Sequence, residues 1–337
     1  MNAVEIDSWP ESQVHNSQPH GIGRVVALDG IGAWSNLGRN VVFVGPDLRP
    51  RAIFDESVFS DDEPSQYDLD IHAILDLPGA GLVLTMNHYG MVRAFRSTDV
   101  GAEGAARRVA PLWMRTFAAD VERAVVVAGR LVGSRPREER AAGLLVSEPL
   151  GPDVSPGDLD IVRELDTWAP ATALASVDDR VIAVGGGTGV GILGLDGRYR
   201  WCVDVDFEPA FLAWDGALLW AAGSEAGAVV DDYDWDARHG GGFAALDPGD
   251  GRVVVEGRFA EELAWGNGGV ALALVPGALC GFGRRGQVYV FDRRDGAPLA
   301  ATPPTADASL GIAHGAAIGD HLVFGYNRGG YRLWWLP

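Results

Sequence analysis

The feature that most restricts what this chain can fold into is a repeat, because residues 211–304 carry nearly the same text twice. The first copy runs Phe211-Leu212-Ala213-Trp214-Asp215-Gly216 into Ala217-Leu218-Leu219-Trp220-Ala221-Ala222-Gly223. After an insertion come Gly242-Phe243-Ala244-Ala245-Leu246-Asp247-Pro248-Gly249-Asp250-Gly251 and Arg252-Val253-Val254-Val255-Glu256. The second copy runs Leu263-Ala264-Trp265-Gly266-Asn267-Gly268-Gly269 into Val270-Ala271-Leu272-Ala273-Leu274. It continues with Gln287-Val288-Tyr289-Val290-Phe291-Asp292-Arg293-Arg294-Asp295-Gly296 and Ala297-Pro298-Leu299-Ala300. Each copy reads as four short apolar strands cut by turn residues, with a period of about 50 residues, the pattern of a propeller blade.

The same reading extends along the chain. Units at residues 31–55, 71–111, 114–165 and 171–206 precede the two copies, and residues 312–337 offer a last one with three strands. Seven units in 337 residues average about 48 each, within the range of propeller repeats. Strand Arg24-Val25-Val26-Ala27-Leu28-Asp29-Gly30 has no inner strands before it and is expected to complete the last unit, so that no sheet edge stays open. The expected fold is therefore an all-β, seven-bladed β-propeller closed by an N-terminal strand completing the last blade. Residues 1–22 form an N-terminal extension, and residues 23–337 a single propeller domain. Only residues 103–109 and 136–142 leave room for a turn or two of helix, in loops; elsewhere Gly, Pro or Asp-Gly cuts every apolar run.

Three of these stretches carry a resemblance. Val25-Val26-Ala27-Leu28-Asp29-Gly30, Phe243-Ala244-Ala245-Leu246-Asp247 with Asp250-Gly251, and Val288-Tyr289-Val290-Phe291-Asp292 with Asp295-Gly296 are similar to quinoprotein-type repeats. The chain thus resembles the broad superfamily of PQQ-like and WD-repeat-like β-propellers, which implies a ring of four-stranded sheets. It departs from true quinoproteins in lacking a vicinal cysteine pair, and the tryptophan expected after the Asp-Gly turn is present only as Trp201. PQQ is not an expected cofactor.

Composition removes several function classes. No lysine occurs among the 27 basic residues, which excludes a Schiff-base lysine, a lysine general base and a P-loop lysine. A net charge of −19 argues against a nucleic-acid backbone or an anionic membrane as partner and favours cations or a basic protein surface. Cys202 and Cys280 lie in different expected blades, so no bridge is expected, and so few thiols fit a reducing compartment. Residues 1–10 lack the basic start and apolar run of a signal peptide, and no apolar run is long enough to span a membrane. The expected location is the cytoplasm.

Candidate binding groups gather on the loops that enter inner strands or join second to third strands, the usual binding face of a propeller. His72 and His314 enter the inner strands of the second and last units, His88 sits in the turn Asn87-His88-Tyr89-Gly90, and His239 ends the insertion of the fifth unit. Converging imidazoles can hold a transition metal or act as acid or base near neutral pH. The insertion itself reads Asp231-Asp232-Tyr233-Asp234-Trp235-Asp236-Ala237-Arg238-His239. Asp232, Asp234 and Asp236 alternate like the opening of a calcium loop, although Ala237 stands where such a loop has Gly and Phe243 where it has Glu. Tyr233, Trp235 and Arg238 among the acids mark a contact surface for a partner, with Asn87, Tyr89, Arg284 and Arg328 on the same face. The run Gly185-Gly186-Gly187-Thr188-Gly189 is read as a turn between strands, since no helix follows to receive a phosphate. The leading expectation is a non-catalytic binding or scaffold protein that engages a protein partner or small ligand at the channel mouth. The alternative is a metal-dependent hydrolase, lyase or oxygenase built on the histidines, with calcium or a transition metal as its ion.

Overall fold

The structure, a computed structural model, describes residues 3–4, 22–36, 40–55, 71–87, 90–118, 121, 123–135, 142–153, 157–178, 180–225, 241–259, 265–266, 269–270, 272–282, 287–301, 312–319, 321–326 and 331–335. Strands form where runs of Val, Ile, Leu, Ala and Phe are cut by Asp-Gly, Pro-Gly or single Gly residues. The chain opens with β1 (Ala3–Val4). Blade one follows as β2 (Ile22–Leu28), β3 (Ile31–Asn36), β4 (Asn40–Val44) and β5 (Pro50–Asp55). Blade two is β6 (Ile71–Leu77), β7 (Leu82–Asn87), β8 (Met91–Arg96) and, beyond α1 (Ser97–Val100) and β9 (Arg107–Arg108), β10 (Trp113–Thr116). Blade three is β11 (Ala124–Val127), β12 (Arg130–Ser134), β13 (Leu144–Pro149) and β14 (Ile161–Leu165). Blade four is β15 (Ala173–Asp178), β16 (Val181–Gly186), β17 (Gly189–Gly194) and β18 (Tyr199–Asp204). Blade five is β19 (Phe207–Trp214), β20 (Leu219–Glu225), β21 (Gly241–Leu246) and β22 (Val253–Phe259). A separate ribbon of β23 (Trp265–Gly266) and β24 (Gly269–Val270) precedes blade six, made of β25 (Leu272–Val275), β26 (Ala278–Phe282), β27 (Val288–Asp292) and β28 (Pro298–Ala301). The last strands are β29 (Ile312–Ile318), β30 (His321–Tyr326) and β31 (Tyr331–Trp335).

These elements correct the expected seven-bladed propeller to six blades. Each of the six is four antiparallel strands laid side by side in chain order. The remaining sheet has a different make: three C-terminal strands, joined at β31 by the two-residue β1 through Ala3↔Trp334 and Val4↔Leu333. The strand expected to complete that last unit does not do so. Residues 24–28 pair instead with β3, Val25 facing Trp34 and Leu28 facing Ile31, as the inner strand of blade one. The reason is local. Asp29-Gly30 is a two-residue hairpin turn whose Gly30 takes φ +73°, and closing that turn costs far less chain entropy than a pairing with residues three hundred positions away. The helical turn also falls elsewhere, at α1, while residues 107–108 are a strand.

The chain divides into two compact units, Met1–Asp120 with Leu150–Asp160 and Ser309–Pro337, and Val121–Pro149 with Ile161–Ala308. In the first, Phe43, Phe54, Val83 and Phe95 fill the layer between blades one and two, with Phe54 and Phe95 edge-on at 5.0 Å. Val25, Val42, Val44, Ile318 and Val323 fill the layer between blade one and the terminal sheet. In the second unit, successive layers centre on Ile182, Val184 and Leu193, on Ala183, Ile192, Phe207 and Leu219, and on Trp220, Phe243, Phe259 and Phe291.

One rule joins neighbouring blades within each unit. The connection from third to fourth strand seats on the outer strand of the blade before it. In blades five and six this connection is the repeated Asp-x-x-x-Gly turn, and its bonds recur position by position. Gly251 N–H donates to Asp247 O and Gly296 N–H to Asp292 O, both at 2.9 Å. Asp247 Oδ1 accepts from Gly249 N–H and Asp292 Oδ1 from Arg294 N–H, both at 2.8 Å. Trp201 of β18 lies on the first turn, its Nε1–H donating to Pro248 O at 2.8 Å. A Cβ at Gly251 would stand 2.6 Å from that indole, so only glycine admits it. In blade four, Leu195 O accepts from Arg163 Nη1 of β14 at 2.5 Å. In the first unit the connections are longer: β9 adds to β5 as a parallel strand, and residues 150–153 and 157–160 lie along β10.

The two cysteines are separated by environment. Cys280 is fully buried in β26, and burial pushes its thiol up to about 12; Cys202 is exposed on β18. A chromogenic disulfide reagent at pH 8 is expected to react with one thiol in the native protein and with two after unfolding. Because the folded form keeps Cys280 protonated, its contribution to stability is complete below about pH 9 and lost as pH rises from there toward 12. Two fast-reacting native thiols would contradict this packing.

Candidate functional site

The residues singled out in the sequence divide sharply by placement. Tyr89, Arg284, Arg328, His88, His239 and the whole insertion with Asp232, Tyr233, Asp234, Trp235, Asp236 and Arg238 lie outside the described residues. For His72 and His314 the backbone is described. Both stand near the start of an inner strand in the first unit, but at different register positions. The ladder skips His72 between Ile71↔Asn87 and Ala73↔Met86, so His72 is the extra residue of a β-bulge. In β29 the skipped residue is Ala313, and His314 pairs with Gly325. His314 thus matches Ala73 rather than His72, and Arg24 of β2, just past the skipped Gly23, matches it too. The bulges recur at this end of the inner strands, and spacing in the sequence carries no sign of them.

Asn87 is buried and has a structural task. Its Oδ1 accepts from Met91 N–H at 2.9 Å and its carbonyl from Gly90 N–H at 3.0 Å, which fixes the turn between β7 and β8. Beside it sits a residue that the sequence analysis passed over. Arg93 is buried on β8, its Nη1 donating to Met91 O at 3.2 Å and its guanidinium 5.7 Å from the Phe54 ring centroid. Burial pulls its pKa down to about 9, so it remains a cation at neutral pH.

In the second unit, Ser224 and Gly241 are register partners, so the two ends of the 226–240 insertion leave blade five side by side. Arg258 pairs with Asp206 close to these ends in the register of the sheet. The glycine run forms the expected turn: Gly186 faces Gly189, and β16 and β17 continue on either side. Trp168 lies against that turn, its Nε1–H donating to Gly186 O at 3.0 Å and its ring 5.1 Å from Tyr199, whose phenol burial pushes up to about 12. Trp214 is on inner strand β19, Trp34 on β3 and Trp265 in the β23–β24 ribbon. Among the described residues no three His, Cys, Asp or Glu side chains form a metal cluster, and no helix is long and apolar enough to cross a membrane.

No family model and no curated protein matches the chain. Solved structures do. The WD40 β-propeller domain of Doa1 is similar at 12% identity with a TM-score of 0.60, covering 94% of this chain and 94% of that one. The computationally designed Ika8 protein is similar at 12% identity with a TM-score of 0.57, covering 95% of this chain and 97% of that one. At such identity the likeness is one of fold, and the fold is a β-propeller.

Proposed function

We propose that this propeller is a non-catalytic binding or scaffold protein of the cytoplasm, acting as a single domain over residues 23–337, and that it engages a protein partner through the insertion of blade five. What carries the reading is the mounting of residues 226–240. A loop with Tyr233, Trp235 and Arg238 among acids is held at both ends by the Ser224↔Gly241 pair of a fully laddered hairpin. Aromatic residues and an arginine on a segment whose two ends are fixed side by side have the composition of an interface hot spot. A net charge of −19 suits a partner with a basic surface. The WD40 fold of Doa1's propeller domain is compatible with the same use. The PQQ-like repeats are here a matter of blade construction, with Trp201 on the Asp-x-x-x-Gly turn of the next blade.

The test is an affinity capture from lysate with the tagged chain and the double variant Tyr233→Ala/Trp235→Ala, partners identified by mass spectrometry. A partner held by the parent protein is expected to be lost, more than tenfold in recovery, while circular dichroism and melting stay unchanged. Undiminished capture by the variant would remove the loop from this role. Elemental analysis of untagged protein covers the other reading. Metal near one equivalent, lost in His72→Ala/His314→Ala, would replace the scaffold by a metal-dependent enzyme.

A further inference from the structure

The outermost strand of a sheet keeps one row of main-chain groups facing out. In blade one that strand is not β5. The sheet runs β2, β3, β4, β5, β9, and among the described residues nothing pairs with β9 on its far side. The ladder fixes which groups face out. Arg107 stands opposite Ala52 and Arg108 opposite Ile53 in a parallel pair, and Val109 N–H donates to Ile53 O at 3.0 Å. In a parallel ladder a residue bonds the two that flank its partner, so Ile53 is bracketed by Arg107 and Val109. The N–H and C=O of Arg108 therefore turn away from β5. Its side chain is exposed, and among the described residues its guanidinium has no hydrogen bond or ion pair. The arginines around it are engaged. Arg107, on the opposite face, donates to Asp99 O at 3.0 Å and lies 3.6 Å from the Asp99 carboxylate. Arg51 holds Asp47 at 3.0 Å, and Arg49 reaches the same acid at 3.8 Å.

We propose that β9 is a docking edge for an acidic segment of a partner protein, which adds to it as a strand and sets a carboxylate opposite Arg108. This surface belongs to the first unit and takes a segment opposite in charge to the partner assigned to the blade-five insertion, so it stands apart from that reading. Charge selects the occupant. On β5, β9 and the segments leading into them, Arg49, Arg51, Arg107 and Arg108 outnumber Asp47, Asp99 and Glu103, in a chain whose net charge is −19. A second copy pairing β9 with β9 about a two-fold axis at this residue would set Arg108 against Arg108, and like charges directly opposite repel. An acidic strand meets the reverse case. In antiparallel addition Arg108 exchanges both main-chain bonds with one partner residue, whose side chain falls on the same face. A carboxylate there receives a charge-assisted hydrogen bond from the guanidinium. The partner's next residue stands opposite Arg107 on the other face, so two consecutive acids meet both arginines.

The experiment follows the fluorescence anisotropy of a short labelled peptide, two consecutive glutamates between valines and threonines, titrated with the whole chain. Saturable binding is expected, and none for the counterpart with lysines in place of the glutamates. Arg108→Ala, which loses the charge and keeps the edge, is expected to weaken binding about fivefold. Arg108→Pro also removes the outward N–H while sparing the bonds to β5, and is expected to weaken binding about fivefold more. Hydrogen exchange at the Arg108 amide is expected to slow when the glutamate peptide is bound. No saturable binding, or equal binding of the lysine peptide, overturns the proposal. Equal loss in the two variants, or an Arg108 amide left unprotected, reduces the contact to surface charge and overturns it as well. So does a concentration-dependent dimer of the parent that Arg108→Glu dissociates, because the occupant is then a second copy. Should Arg108→Pro fail to fold, protection of the Arg108 amide by the peptide decides alone.

Discussion

Phe243→Ala is expected to lose about 3–5 kcal/mol of stability, the range for deleting a fully buried aromatic. Phe243 is 1% exposed and sits where three aromatic rings converge: Phe291 at 4.9 Å, Phe259 at 5.4 Å and Trp220 at 6.4 Å between centroids. Its cross-strand partner is Gly257, over whose backbone the ring lies, so that strand position has no side chain to fill the gap. A domain stable by about 5–15 kcal/mol would be left marginal. The measurement is the urea midpoint followed by tryptophan fluorescence, which Trp220 in the same cluster reports. Phe243→Leu, which keeps most of the volume, is expected to cost clearly less. An alanine variant within about 1 kcal/mol of the parent would show that blades five and six do not share this core.

Asp215→Ala is the second large effect, expected at about 3–5 kcal/mol because it strands a buried cation. The Asp215 carboxylate, 9% exposed, closes the β19–β20 turn by accepting from Ala217 N–H at 2.8 Å and Leu218 N–H at 2.7 Å. It also accepts from Trp220 Nε1–H at 2.8 Å and pairs with Arg293 in the turn of blade six. The guanidinium, 21% exposed, lies 5.5 Å from the Trp220 ring centroid, and burial draws its pKa down. Removing the acid leaves that cation with Val275 O at 3.1 Å and the indole face. The double variant Asp215→Ala/Arg293→Met is expected to recover part of the loss, because an apolar pair of similar volume escapes the desolvation cost. Midpoints for the four members of this cycle give the coupling directly. Additive losses would mean that the pair does not bind the blades together.

How much of this was legible beforehand depends on the range of the interaction. The Asp247–Gly251 and Asp292–Gly296 turns were plain in the sequence, because each is closed by bonds spanning five or six residues. The alignment of the two copies was not correct throughout. Trp265-Gly266 looks like Trp214-Asp215-Gly216, yet Trp265 belongs to an extra ribbon, and Pro276-Gly277 occupies the position of the Asp215-Gly216 turn. Both segments satisfy the same turn chemistry, and only the pairing of β25 with β26 separates them. The structural roles of Asp215 and Arg93 left no mark in the sequence for the same reason. The partners of Asp215 are Trp220 and, 78 residues away, Arg293, while Arg93 leans on Phe54 across a blade boundary.

The amino-acid order alone therefore determined that this chain is all-β, built of four-stranded units with Asp-Gly turns, rich in acid and without lysine. These properties rest on hydrophobic alternation, turn conformations and charge, which neighbouring residues settle among themselves. The tertiary structure decided that six blades and a two-ended terminal sheet use those units, and that residues 24–28 begin blade one. It also decided that His72 and His314 stand out of step, and that Trp113 and Arg115 of β10 bond to the carbonyls of Gly151 and Gly157. These outcomes turn on register, where one inserted residue redirects every side chain beyond it, and on contacts whose entropy cost is met only when distant strands pack together.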